Sequence, residues 1–342
     1  MATLNNITGC LLIDARAAFL NGAGLGSGED RNKVIPKTFF ENGAGGRREE
    51  VPYVSAQAWR RWLRNTSNEE NGWTPSDLQA IGQSEGKGST NKIATKLNPI
   101  DYPEDDLFGY MRSGTGNEES VQRTSPMKTS ILKGIPGKRT LNVDEAFVHL
   151  KEGTPLPYST RFYSAHLEGF FNLEYYRLGV YDNMGSHVEL EKALVEKHRS
   201  DLDSKNIYKN FPRYTLKNAE TLRKQRAAGL LKGLVMLRGG AKQAAFGSDV
   251  APKVLILAGM ESANPVFNNL FEGKSEKPML NLAALQEIAQ DYSAKLAGKI
   301  YIGIRTGYLE NEADIKALDP AVFVIGTPAG IVQQFTEAHL QV

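Results

Sequence analysis

The chain has 342 residues, 41% apolar and 23% charged, the proportions of a soluble globular protein with room for about two domains, or one domain with large insertions. Its 41 basic and 39 acidic residues leave a formal charge of +2, so any nucleic-acid surface must be a local patch and not a global field. One cysteine, Cys10, excludes an internal disulfide framework and a thiolate metal cluster.

The opening apolar run, Ile7 to Phe19, predicts a strand, and within it Cys10 reads as a buried, inert thiol. No apolar segment is long enough for a bilayer span, and the start of the chain lacks the basic residues and cleavage site of a secretory signal; a cytoplasmic protein with no membrane partner is expected. A glycine-rich loop over 20–50 follows. Its glycines alternate from Gly22 to Gly28, which breaks the G-x-G-x-x-G spacing of a dinucleotide-binding turn, and a charged stretch replaces the apolar helix such a turn requires.

Residues 53–64 predict the most informative element. Pro52 favours an extended approach and Ser55 is a suitable N-cap. Wound at about 3.6 residues per turn, Gln57, Arg60, Arg61 and Arg64 fall within roughly a 100° arc. Ala56, Trp59, Trp62 and Leu63 fill the opposite side. Guanidiniums are permanently charged planar forks that match phosphate oxygens in pairs, so this face suits a polyphosphate chain. An ordinary solvated amphipathic helix is the alternative.

Asn65 to Pro99 is polar and reads as a surface insertion with a short helix near Thr74–Ile81; the finger-like unit is set at 65–104. Gly86-Lys-Gly-Ser-Thr90 lacks the first glycine and the preceding strand of a P-loop. Asp105 to Arg112 predicts a short strand with Leu107, Gly109 and Met111 on one face; Met111, followed by Arg112, is a candidate ligand contact. Met127 to Ile135 predicts another strand. The 137–165 segment predicts a projecting excursion whose apolar Phe147 and Leu150 point to a partner or a base stack, since a thin hairpin has no core of its own. A strand from Leu167 to Tyr181, a second insertion over 184–215 with helix from Glu189 to Ser200, and a helix from Leu216 to Leu237 stopped by Gly239-Gly240 come next. Strands at Lys253–Ala258 and Lys299–Arg305 flank a helix from Leu282 to Leu296. The pattern is α+β around a mainly antiparallel sheet.

The five histidines show no metal-ligand spacing, and no G-x-S-x-G elbow occurs, so no metal, cofactor or catalytic triad is expected. Asp30, in the glycine-rich loop, is the one carboxylate placed for RNA cleavage; a solvated loop residue is the alternative.

The motifs PYVSAQAWRRWLR at 52–64, DDLFGYM at 105–111, RTSPMKTSIL at 123–132, FYSAHLEGFFNLEYYRLGVY at 162–181 and GGAKQ at 239–243 resemble, in order and spacing, the DevR-like branch of the backbone subunit of type I CRISPR Cascade complexes, found in type I-B systems. The resemblance spans essentially the whole chain. It implies one hand-shaped domain over 1–342: a ferredoxin-like, RRM-type palm of the RAMP superfamily, finger insertions and a thumb hairpin. It implies no enzymatic activity and four kinds of partner: the crRNA guide, a target DNA strand, further copies stacked head to tail, and other Cascade subunits. Proteins of a transposition system are a further possible set, for complexes that target transposons instead of serving antiviral defence.

Carried over by position, the phosphate-binding helix matches Gln57, Arg60, Arg61 and Arg64. Asn21 matches a loop asparagine and Lys37 a loop lysine. Met111 matches a methionine wedge, Phe147 its thumb-side apolar partner, and Arg112 and Lys242 complete the RNA-binding set. Contacts to phosphates hold RNA without reading sequence, as a carrier of any guide requires. Two other readings stand beside this one: a type III-like endoribonuclease using Asp30, and the transcriptional autoregulator that the DevR name denotes.

Overall fold

The computed structural model describes residues 2–24, 32–43, 46–81, 92–114, 119–137, 139–148, 156–273 and 276–341. The opening strand, Asn6–Ala18, lies in the middle of an 11-stranded sheet, antiparallel to Leu156–Leu173 on one side and to Val254–Met260 on the other. Ile300–Ile304 and Phe323–Gly326 extend the sheet beyond Val254–Met260; Leu132–Gly134, Arg48–Val54 and Thr38–Asn42 extend it the other way. Pairing is antiparallel except between Ile300–Ile304 and Phe323–Gly326 and between Lys33–Val34 and the long strand.

The opening strand reads as an unbroken apolar run because both faces are covered. Ile7, Leu11 and Ile13 join a core with Trp59, Leu63, Phe171 and Leu230, under the helices Ala56–Asn71 and Ala219–Val235. Cys10 and Leu12 point the other way, into a core with Ile256, Phe267, Leu285 and Ile302 beneath the helix Leu282–Asp291. Cys10 is fully buried and burial pushes its thiol well above the usual range, so it is an inert core residue.

The expected α+β class and mainly antiparallel sheet are observed, with eight helices among the described residues. A six-stranded sheet stands beside the first, ordered Leu202–Tyr208, Phe211–Leu216, Val180–Met184, His187–Val188, Val121–Arg123, Tyr110–Arg112. The excursion is a hairpin of Thr140–Val148 against Leu156–Leu173, and its tip lies outside the described residues. Among the described residues, no helix is long and apolar enough to cross a membrane.

Six sequence assignments need correction. The glycine-rich 20–50 segment expected as a loop carries the strands Lys33–Val34 and Thr38–Asn42 and the start of Arg48–Val54, and in place of the helix expected near Thr74–Ile81 the strand Gln79–Ile81 pairs with Lys92–Ala94. Asp105–Arg112 is not one strand: Pro103–Phe108 is helical, Gly109 turns the chain at φ +69°, and only Tyr110–Arg112 is extended. Proline at the first helical turn and three carboxylates at the positive end of the helix dipole outweigh the apparent alternation. Met127–Ile135 is two short strands, and the strand expected to reach Tyr181 ends at Leu173. The expected helix from Glu189 to Ser200 is regular only over Lys192–Lys197.

Those carboxylates organise the junction between the sheets. Glu104, Asp105 and Asp106 are all buried. Asp106 accepts from Arg123 and from Arg226, each at 2.5 Å, and Glu189 accepts from Arg123 at 2.9 Å and Arg177 at 2.7 Å. Buried carboxylates survive because each is met by cations and backbone N–H groups.

Glu168 is a different case. It accepts the Leu270 N–H at 2.9 Å, yet burial pushes its carboxyl up to about 7, against the backbone bonds and Lys133. The folded state then keeps a proton that the unfolded chain, titrating at the ordinary value of 4.5, has released. Its contribution is complete below about 4.5 and is lost as pH rises through about 7. Glu168→Gln should therefore gain on wild type by roughly 3 kcal/mol between pH 4 and pH 8, measured by urea unfolding. Parallel pH profiles would refute the assignment.

Candidate nucleic-acid interface

The arginine helix, Ala56–Asn71, starts where expected: Ser55 is extended (φ −64°, ψ 147°) and its side chain accepts the Ala58 N–H. Asn21 fixes that start, its Oδ1 accepting the Ser55 N–H at 3.0 Å. The Asn21 carbonyl accepts the Lys37 N–H at 2.8 Å, and the Lys37 carbonyl accepts the Tyr53 N–H at 3.0 Å. Asn21 and Lys37 thus clamp the two strands that deliver the helix.

The indole side behaves as expected. Trp59 is fully buried and donates its ring N–H to the Ser130 carbonyl at 2.7 Å. Trp62 is half-buried against Gly239, where an added Cβ would lie 2.2 Å from the indole. Gly233 allows Ser67 equally close, so the Ala219–Val235 helix packs tightly behind. The helix continues to Asn71, into the segment expected to be a surface insertion, and ends on Gly72 in the left-handed region.

The outer face divides. Gln57 and Arg61 are exposed and Arg60 is partly so; among the described residues, neither Arg60 nor Arg61 has a carboxylate partner. Arg64, placed on the same arc by its sequence position, turns inward. Its Nη2 donates to Glu104 Oε1 at 2.5 Å, and its side chain is only 12% exposed. Burial pushes the Glu104 carboxyl up, but bonds from Arg64 and Asn68 outweigh it and hold it below the usual range. The free ridge is Gln57, Arg60 and Arg61.

Lys242 lies at the root of the hairpin formed by Thr140–Val148 and Leu156–Leu173. Its Nζ donates to Thr160 Oγ1 at 3.0 Å and stands 5.5 Å from the Phe19 ring, while Ala241 N–H bonds the Leu20 carbonyl at 2.9 Å. Asn21, Lys37 and Lys242 thus gather near the end of the opening strand, by the helix start.

Met111 sits apart, 64% exposed on the edge strand of the second sheet. Arg112 is not a free cation: it donates to Glu191 at 2.5 Å. Phe147 is in the hairpin strand Thr140–Val148 opposite Pro157, but its side chain lies outside the described residues, as do Leu150 and Asp30. Sequence reasoning missed the captors of Arg64 and Arg112, although the Pro103-Glu-Asp-Asp106 run carries a helix-start signature.

The family model for the CRISPR-associated negative auto-regulator DevR/Csa2 matches residues 20–278. The chain belongs to the DevR/Csa2 family. The resemblance drawn from the five motifs is therefore met at family level. Among solved structures, this DevR/Csa2 chain is similar to a chain of a CRISPR RNA-guided surveillance complex, with TM-score 0.54 and 16% identity over 97% of this chain and 99% of the other. A chain of such a complex in a pre-nicking state gives TM-score 0.55 and 13% identity over the same shares. At these identities the likeness is one of fold, and it runs the length of both chains. No curated protein matches.

Proposed function

We propose that this DevR/Csa2 chain is a non-catalytic backbone subunit of a cytoplasmic type I-B Cascade, binding crRNA along an RRM-type palm and stacking head to tail with copies of itself for RNA-guided recognition of target DNA. Family membership and full-length likeness to chains of surveillance complexes support the setting. The observation that carries the RNA-binding reading is the pair of carboxylate-free guanidiniums, Arg60 and Arg61, held out from a helix anchored by a buried indole. Two arginines and an amide on a rigid base bind successive phosphates of any sequence. The exposed thioether of Met111 suits a wedge beside unstacked bases, because apolar contacts tolerate every base.

Arg60→Ala/Arg61→Ala should purify without co-bound RNA, read as a fall in the 260/280 nm absorbance ratio, at unchanged thermal stability. Arg64→Ala should instead lower thermal stability, because it strands Glu104. RNA retained at wild-type level by the double variant would overturn the proposal.

A further inference from the structure

The outermost hairpin of the second sheet, Leu202–Tyr208 paired with Phe211–Leu216, has no role in the phosphate ridge. All of its first strand beyond Leu202 is exposed. Ladder strands normally bury one face; this one presents both to solvent, and its end is aromatic. Tyr208 is 57% exposed and Ile207 37%. The Tyr208 and Phe211 rings are stacked, with centroids 6.5 Å apart and an 18° interplanar angle. Lys209, in the left-handed region at φ +49°, holds its ammonium 5.2 Å from the Tyr208 ring.

The charge pattern decides what such a tip suits. Residues 202–216 contain Lys205, Lys209 and Arg213, three aromatics and one acidic residue, Asp203, which lies at the end of the hairpin away from the Tyr208–Phe211 turn. Lys205 stands directly opposite Arg213 across the ladder. Arg213 is held by Asp182 at 2.7 and 2.8 Å, which leaves Lys205 and Lys209 as the outward cations. The two outward lysines flank the aromatic pair, and a strand of nucleotides supplies both anions for the lysines and flat rings for the aromatics.

We infer that the 202–216 hairpin is a second nucleic-acid contact, separate from the arginine ridge, at which unpaired bases stack on Tyr208 and Phe211 while Lys205 and Lys209 engage the adjoining phosphates. It takes single-stranded nucleic acid without reading sequence.

The test uses the full chain, with its co-purified RNA left in place, titrated with fluorescent dT20 and, separately, rU20. Tyr208→Ala/Phe211→Ala should weaken binding of at least one oligonucleotide by about tenfold with the salt slope unchanged. Lys205→Ala/Lys209→Ala should weaken it and lower the slope of log affinity against log salt by about 1.4. Loss confined to dT20 identifies DNA as the ligand, loss confined to rU20 identifies RNA, and loss of both a surface indifferent to the sugar. Both variants should keep the wild-type absorbance ratio, so failure here is distinguishable from failure of the arginine ridge. Wild-type affinity for both oligonucleotides in both variants would overturn the inference. So would unchanged oligonucleotide binding with a shift in sedimentation, which would make the hairpin a contact between copies.

Discussion

Arg123→Met should lower the unfolding free energy by about 3–5 kcal/mol, the usual cost of stripping one partner from a buried ion pair. The Arg123 side chain is fully buried and all of its N–H groups are engaged. Nε donates to the Asp106 carbonyl; Nη1 donates to the Val180 carbonyl and Glu189; Nη2 donates to Asp106 Oδ1 and the Arg177 carbonyl. These partners belong to the Pro103–Phe108 helix, the second sheet and the turn that leaves the long strand, so one guanidinium pins three elements together. Methionine fills much of the volume but leaves Asp106 with one arginine, Arg226, beside the Gly179 N–H, and Glu189 with one arginine, Arg177, beside the Asp182 N–H. Arg123→Lys keeps the charge but concentrates three donors on one nitrogen, and should lose less than methionine. Urea unfolding of the three proteins gives the order wild type, lysine, methionine. A loss below about 1 kcal/mol for Arg123→Met would show that the network is dispensable.

Trp59→Ala should cost about 3–5 kcal/mol through the cavity it opens, and should also weaken RNA retention. Trp59 has no exposed surface and its indole N–H is satisfied by the Ser130 carbonyl, in the segment between two strands paired to the long strand. The indole is thus the link between the sheet and the helix that carries Arg60 and Arg61. Trp59→Phe, which keeps most of the volume and orphans only the Ser130 carbonyl, should lose less stability and keep RNA. If alanine and phenylalanine variants retain RNA equally while differing in thermal stability, the indole stabilises the core without positioning the ridge.

The same helix shows how far local pattern reaches. Its period, Ser55 cap and tryptophan side all depend on residues within a few positions, and all are as the sequence predicts. The fate of Arg64 depends on Glu104, which the fold brings from 40 positions away. Arg112 is likewise captured by Glu191, 79 positions distant. A helical wheel treats every residue of one arc as equivalent, and packing against a second element breaks that equivalence. Asp105–Arg112 departs from the expected strand for the opposite reason: Pro103 and three successive acids are local helix-start signals, and alternation over a few residues is too short a pattern to override them.

Composition and periodicity alone determined that this chain is an α+β protein with an apolar opening strand, a projecting hairpin and an arginine-bearing helix. These features follow from interactions between near neighbours along the chain. Tertiary structure decided which cations remain free. A guanidinium goes to the nearest buried carboxylate because desolvation makes an unpaired charge so costly, and which carboxylate is near is set by packing between segments far apart in sequence. Arg60 and Arg61 are left facing outward because no acidic residue of the described fold comes within reach of them.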